Sequence, residues 1–208
     1  MPEEPTSEAG VAAYVERELL ARDPFVDVAL ASDEHRGQHD CDAYPSRPGH
    51  MLGALAASTG SRRILEIGGG LGYSALWLAH GAGAGANVET IEADPGHAEM
   101  LNGFAVKHGH ADAISVLLGT DEEVLPRLVG PYDLVFYDAA IPGPELVDHL
   151  ERLVRLRGLV IASNIFLGRY VPDHPELSRG AAFRQRMLDS GDWLTSFANG
   201  KLLAVRNA

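Results

Sequence analysis

The chain has a single cysteine in 208 residues, Cys41. An internal disulfide is thereby excluded, and with it a zinc site built from cysteines. No apolar run reaches the roughly 18 residues of a membrane span, and the opening MPEEPTSEAG is acidic and polar, unlike a secretory leader. A cytoplasmic protein that does not engage membranes is expected. Positive charge is also scarce, with 17 Lys and Arg against 29 Asp and Glu, a formal net charge of -12. That field repels nucleic acid phosphates and no basic run offsets it, so nucleic acid is not an expected partner. The acidic excess reads equally well as a solubility feature. Repeats are absent, and the GAGAG turn at 81–85 is the only low-complexity stretch. What is present, 46% hydrophobic and 22% charged residues, suits one soluble globular domain with a real core.

Hydrophobic spacing divides the chain in two. Residues 1–48 read as a helical segment followed by a loop: Met1 to Thr6 lack pattern, Ser7 caps a helix through Arg22, and Asp23-Pro24 breaks it. A short helical piece over Phe25 to Ser32 then gives way to a polar loop, Asp33 to Pro48, rich in histidine and aspartate. From 49 on, helices alternate with short apolar strands at Ile64–Ile67, Asn87–Ala93, Ile114–Leu118, Tyr132–Asp138 and Gly158–Ser163. Such alternation predicts a doubly wound α/β sheet, parallel and covered by helices on both faces. After a helix around Ser178–Asp189, WLTSFANGKLLAVR reads as two strands turning at Asn199-Gly200, an antiparallel hairpin that brings the sheet to seven strands.

The stretch RRILEIGGGLGYSALWLA, residues 62–79, is a buried strand, a glycine-rich turn and a helix opening directly after it. Glycines let the chain turn sharply and let a ligand lie against bare backbone, while the helix start offers free N–H groups. A dinucleotide fingerprint needs G-x-G-x-x-G, and Tyr73 stands where its third glycine belongs, which disfavours a nicotinamide-dependent oxidoreductase. In a doubly wound sheet ligands lie across the carboxyl ends of the strands. Those ends carry Glu66, Glu92, Asp121 and Asp138, four carboxylates gathered at one rim. Glu92, closing the second strand, suits a pair of ribose hydroxyls, and the apolar-flanked Glu66 needs a donor or a cation.

These stretches, together with YPSRPGHML, VETIEADP, LGTDEEVLPRLVGPYDLVFYDAA and LVRLRGLVIASNIFLGR, resemble the class I S-adenosylmethionine-dependent methyltransferases. Within them the chain is similar to the O-methyltransferases of the catechol and caffeoyl-CoA type, from about Tyr44 to the C-terminus. The resemblance implies a Rossmann-like fold, S-adenosylmethionine as cofactor, a small-molecule methyl acceptor and a homodimer. It implies that Glu66, Gly68, Gly70, Tyr73 and Ser74 hold the methionine part of the cofactor and that Glu92 binds its ribose. Ala93 would lie beside the adenine, Thr120 and Asp121 would close over its edge, and Tyr44 would line the cofactor from the N-terminal loop. Asp138 falls on the position of the family's first metal ligand.

Two departures change the expected chemistry. The metal-dependent members carry a lysine three residues after that aspartate and an Asp-Asn pair after the fifth strand; here Ile141 and Ser163-Asn164 stand in those places. Losing one of two carboxylates weakens a hard divalent site, so no catalytic metal is expected. A phenol ionises near pH ~10, so a base is still needed. His39, with His35 and His50 beside the same loop, is one candidate, and Asp138 itself is another. The expected function is methyl transfer to an oxygen of a small aromatic molecule. The alternatives are a cofactor-binding homologue without catalysis and a metal-dependent catechol-type enzyme.

Overall fold

In the computed structural model of the chain, residues 5–47, 49–198 and 200–208 are described. The N-terminal part holds three helices, α1 (Glu8–Leu20), α2 (Val26–His39) and α3 (Gly49–Ser58). There follow β1 (Arg63–Ile67), α4 (Tyr73–Ala82), β2 (Asn87–Glu92), α5 (Pro95–Lys107), β3 (Ile114–Leu118), α6 (Asp121–Val124) and β4 (Tyr132–Tyr137). The chain closes with α7 (Leu146–Leu153), β5 (Val154–Ala162), α8 (Leu177–Asp189), β6 (Trp193–Ala198) and β7 (Lys201–Arg206).

All seven strands form one sheet in the order β3-β2-β1-β4-β5-β7-β6. The first five run parallel, and β7 joins antiparallel to both β5 and β6. The doubly wound, mostly parallel sheet read from the sequence is therefore present, with one refinement. The last strand, β7, lies inside the sheet against β5 and leaves β6 at the edge. The residue Asn199 of the expected turn lies outside the described residues; Gly200 beside it has φ +75°.

Both faces of the sheet are covered. On one side Ile64, Val88, Leu134 and Phe136 pack under α3, α4 and α5, and α2 joins them through Phe25 and Val28. On the other, Leu65, Val135 and Val160 meet α7 and α8 through Leu150, Phe183 and Met187. Every strand of the centre is thus buried on two sides, which is why those strands read as unbroken apolar runs. Helices α3 and α4 approach so closely that a Cβ on Gly81 would stand 2.1 Å from the Gly53 carbonyl oxygen.

Two boundaries differ from the sequence reading. Helix α2 continues to His39 through much of what reads as a polar loop. Its polar composition is that of a surface helix, with Gln38 bonded to Glu34 one turn back and Arg36 paired to Asp33. It stops where Asp40 takes the left-handed conformation, φ 51°. Strand β5 begins at Val154, earlier than expected, because its first pairing with Tyr132 precedes an irregularity, with Arg157 at φ 64°, before regular register resumes at Leu159.

Candidate active site

Strand order reverses at β1, between β2 and β4, so the turn after β1 opens at the switch point where doubly wound sheets bind ligands. Gly68 has φ +93°, and a Cβ there would fall 2.8 Å from the Asp138 carbonyl and the Ala139 nitrogen. Only glycine permits β1's turn and β4's end to come this close. The N–H groups of Gly68 and Gly69 both donate to the Ile91 carbonyl, which ties the turn to β2. A cleft of about 1140 Å³ runs from this turn across the strand ends to the segment after β5.

Glu92 stands at the glycine-turn end of the cleft. Its Oε2 accepts the Gly70 N–H at 2.7 Å and its Oε1 accepts the Asp94 N–H at 2.9 Å. The carboxylate is thereby held in one orientation at the cleft wall, with lone pairs left for hydroxyl donors. Ala93, Thr120 and Asp121 line the same end. Thr120 caps α6 in a capping box with Glu123, which fixes the loop that carries Asp121, and the Tyr137 hydroxyl lies 3.5 Å from Asp121 Oδ2.

Glu66 is in a different position from the other three carboxylates. It is fully buried beneath the turn, outside the cleft wall, with Oε2 accepting from the Thr90 hydroxyl at 2.6 Å and Oε1 unpartnered. Burial pushes its pKa up to about 8, against the lowering effect of the Ser74 and Thr90 hydroxyls. Ser74 and Tyr73 line the cleft, but the Tyr73 hydroxyl is turned to the N-terminal helices. It donates to Asp23 at 2.5 Å and accepts the Gly49 N–H at 3.3 Å. Tyr44 lies at the cleft mouth, exposed, with the Arg36 guanidinium 3.4 Å above its ring.

The histidines are not where a loop would have put them. His39 is on α2, exposed and off the cleft wall, its ring 4.3 Å from that of His35. His50 lies against Trp77, ring centroids 4.2 Å apart and tilted by 41°. Neither reaches the strand-end rim, because the segment that bears His39 is helical and turns it to solvent. His97, in the first turn of α5, is nearly buried, with Nδ1 3.4 Å from Glu92 Oε1.

The acceptor half holds a residue that sequence reasoning missed. Pairing of Ala162 with Leu202 makes Ser163 and Lys201 the next pair outward along β5 and β7. The Lys201 ammonium donates to Ser163 Oγ at 2.6 Å and to Ser46 Oγ at 3.1 Å, against the ring of Phe136. Both hydroxyls also favour the charged form of the Asp138 carboxyl. Burial raises the Asp138 pKa, opposed by Lys201 and the two serines, and burial lowers that of Lys201, opposed by Asp138. The chain has only two lysines, and Lys107 is spent on Asp27 at the surface. That rarity was the available signal, but nothing local tied Lys201 to Asp138.

This donor set does not fit a hard divalent cation. Asp138 is its one carboxylate, Ser163 is engaged by an ammonium, and the Asn164 amide is fixed by donating to the Ala139 carbonyl at 2.7 Å. A cation placed there would meet too little anionic oxygen and a like charge. The cofactor half, in contrast, fits a nucleoside: bare glycine backbone, an oriented carboxylate and a half-buried second acidic loop face one space.

A sheet of this order, with a glycine turn and an acidic residue at the end of the second strand, defines a class I S-adenosylmethionine-dependent methyltransferase. Comparison with known proteins narrows the class: residues 36–187 match the O-methyltransferase family model, and the chain belongs to that family. Among curated proteins it is 34% identical over 160 residues to a catechol O-methyltransferase of Mycobacterium tuberculosis, covering 76% of this chain and 72% of that one. A cofactor-bound structure of Rv0187 from M. tuberculosis superposes with a TM-score of 0.75 at 28% identity, covering 99% and 98% of the two chains. The O-methyltransferase TomG of Streptomyces achromogenes, in complex with S-adenosylmethionine, gives 0.75 at 27% identity, covering 93% and 99%. The protein is an S-adenosylmethionine-dependent O-methyltransferase by family. Among the described residues no helix is long and apolar enough to cross a membrane.

Proposed function

We propose that the protein methylates a hydroxyl of a small aromatic molecule without a resident divalent cation. One observation carries this reading: a single cleft joins the glycine turn and Glu92 to a rim bearing Asp138, Ser163 and Lys201. Its volume of about 1140 Å³ accommodates a nucleoside cofactor together with a small acceptor. Met51, Phe166 and Tyr170 add apolar and aromatic surface on the acceptor side.

S-adenosylmethionine supplies an electrophilic methyl group on a sulfonium. The chain's own residues supply position. Glu92 orients the ribose, with Ala93, Thr120 and Asp121 beside the base and Gly68, Gly70 and Ser74 along the methionine part. Phe166 and Tyr170 confine the acceptor so that its oxygen faces the methyl. Bringing two reactants into line in this way is the largest contribution available to a site without a Lewis acid. The same reading carries a cytoplasmic homodimer, supported by the family resemblance alone.

Calorimetric titration with S-adenosylhomocysteine tests the reading. The protein is expected to bind it, and Glu92→Ala to weaken binding by roughly 100-fold or more, the worth of two charge-assisted hydrogen bonds. An absence of binding at millimolar ligand would overturn the assignment. Activity that EDTA abolishes and Mg²⁺ restores would overturn its metal-free part.

A further inference from the structure

Lys201 reaches the acceptor rim from the far end of the chain, across a register that sets it opposite Ser163. Its Nζ lies 2.6 Å from Ser163 Oγ, and the charge of its ammonium form acts on Asp138. Among the described residues Asp138 is the charged group that acts on Lys201; its partners there, Ser46, Ser163 and the Phe136 ring, are uncharged. As a neutral amine held this way, Lys201 has two N–H groups, which serve the two serines, and a lone pair left for the proton of a ligand in the cleft.

We propose that Lys201 is the catalytic residue of the acceptor half, taking the proton of the acceptor hydroxyl and holding the resulting oxyanion. The inference rests on the methyl-transfer reading above. The hydroxyl O–H bond breaks and its proton passes to the neutral amine of Lys201. The acceptor oxygen then forms a bond to the methyl carbon as the carbon–sulfur bond breaks, its electron pair leaving on sulfur. The proton on Lys201 afterwards returns to solvent through the open cleft. Burial, which lowers the Lys201 pKa, favours the amine form that the first step needs, and Asp138 limits that shift so that the ammonium formed is stabilised. Ser46 and Ser163 are positioning residues that hold the amine on the cleft wall.

The test uses 4-nitrocatechol, whose visible spectrum reports ionisation of its hydroxyl, added to the protein saturated with S-adenosylhomocysteine. Wild type is expected to bind it in the ionised form at a pH below that at which it ionises in buffer. Lys201→Met is expected to lose that shift while binding S-adenosylhomocysteine within about threefold of wild type. With S-adenosylmethionine, methylation should fall about 100-fold or more, the usual worth of a general base. Lys201→Arg, which keeps a cation but cannot accept a proton, should retain the spectral shift of 4-nitrocatechol and lose turnover of catechol, whose hydroxyl stays un-ionised near neutral pH. Equal spectra in wild type and Lys201→Met, or no spectral change in wild type, would overturn the proposal. Failure of wild type to bind S-adenosylhomocysteine would instead overturn the methyl-transfer reading.

A different set of residues carries a second inference. His35 on α2, Cys41 just after it and His97 in the first turn of α5 bring three donor atoms within 4.8 Å of one another. All three side chains are partly or largely shielded, and burial lowers the His35 pKa, which keeps its ring in the neutral form a metal requires. We propose that this set of two imidazoles and one thiolate binds Zn²⁺, a softer cation than the acceptor rim could attract. Such a site goes beyond the all-cysteine arrangements that a lone thiol excludes. It would tie the end of α2 to α5 beside Glu92, which His97 also touches. Titration with Co²⁺ tests it. A thiolate-to-cobalt charge-transfer band that Zn²⁺ bleaches and Cys41→Ser abolishes is the expected result. The absence of a band, or one that survives Cys41→Ser, would overturn it.

Discussion

Glu66 makes a prediction that runs against the usual cost of altering a buried charged residue. The side chain is fully buried, one oxygen has no partner, and its pKa is pushed from 4.5 to about 8, chiefly by burial. Because the folded pKa is raised, the stability linked to this group is fully present below pH 4.5 and is lost as pH rises through about 8. At neutral pH the loss already amounts to roughly 3 kcal/mol, and above the folded pKa it approaches about 5 kcal/mol. Glu66→Gln is neutral at every pH and can still accept from Thr90, so it escapes this loss. Its amide nitrogen inherits the unpartnered position, which costs about 1 kcal/mol or more. The variant is therefore expected to be less stable than wild type at pH 4.5 and more stable at pH 8, by about 2 kcal/mol or more. Urea unfolding of both proteins across that range measures the difference directly, with all other titrating groups cancelling. A variant destabilised equally at both ends would refute the argument, since it would mean that Glu66 keeps an ordinary carboxyl pKa.

Tyr73→Phe removes a donor to Asp23 and an acceptor for the Gly49 N–H, both buried. It should cost about 1–3 kcal/mol of stability and leave affinity for S-adenosylhomocysteine within about threefold, measured by urea unfolding and calorimetry. Gly81→Ala would drive a methyl into the Gly53 carbonyl at 2.1 Å and should destabilise by about 2 kcal/mol or more. Gly103→Ala in α5, where a Cβ meets nothing within 4 Å, should instead stabilise by about 0.5–1 kcal/mol. Thermal denaturation of the two variants side by side checks both signs.

Much of the glycine-turn end of the cleft was legible in the chain, because each of its parts is a local event. A glycine turn between strand and helix, an acidic residue closing β2 and a capping box opening α6 are each written within a few consecutive residues. Periodicity also placed the strands, since burial on two faces leaves an unmistakable apolar run. The boundaries that differ, α2 running to His39 and β5 starting at Val154, lie where polar surface helix and loop share a composition and where pairing with a neighbour, not propensity, extends a strand.

The sequence by itself determined the sheet, the glycine-rich turn with Glu92 closing the next strand, and the presence of Ser163 in place of a carboxylate at the end of β5. Only the tertiary structure decided what stands in the vacated place. Antiparallel pairing of β7 with β5 carries Lys201 to Ser163, 38 positions away along the chain, and no local pattern records a register. It likewise decided that Glu66 lies sealed beneath the turn while Glu92 faces the cleft, and that His97 faces inward while His39 does not. Strand ends and helix faces are set by packing against partners distant in the chain, and it is there that charge, burial and proton affinity are assigned.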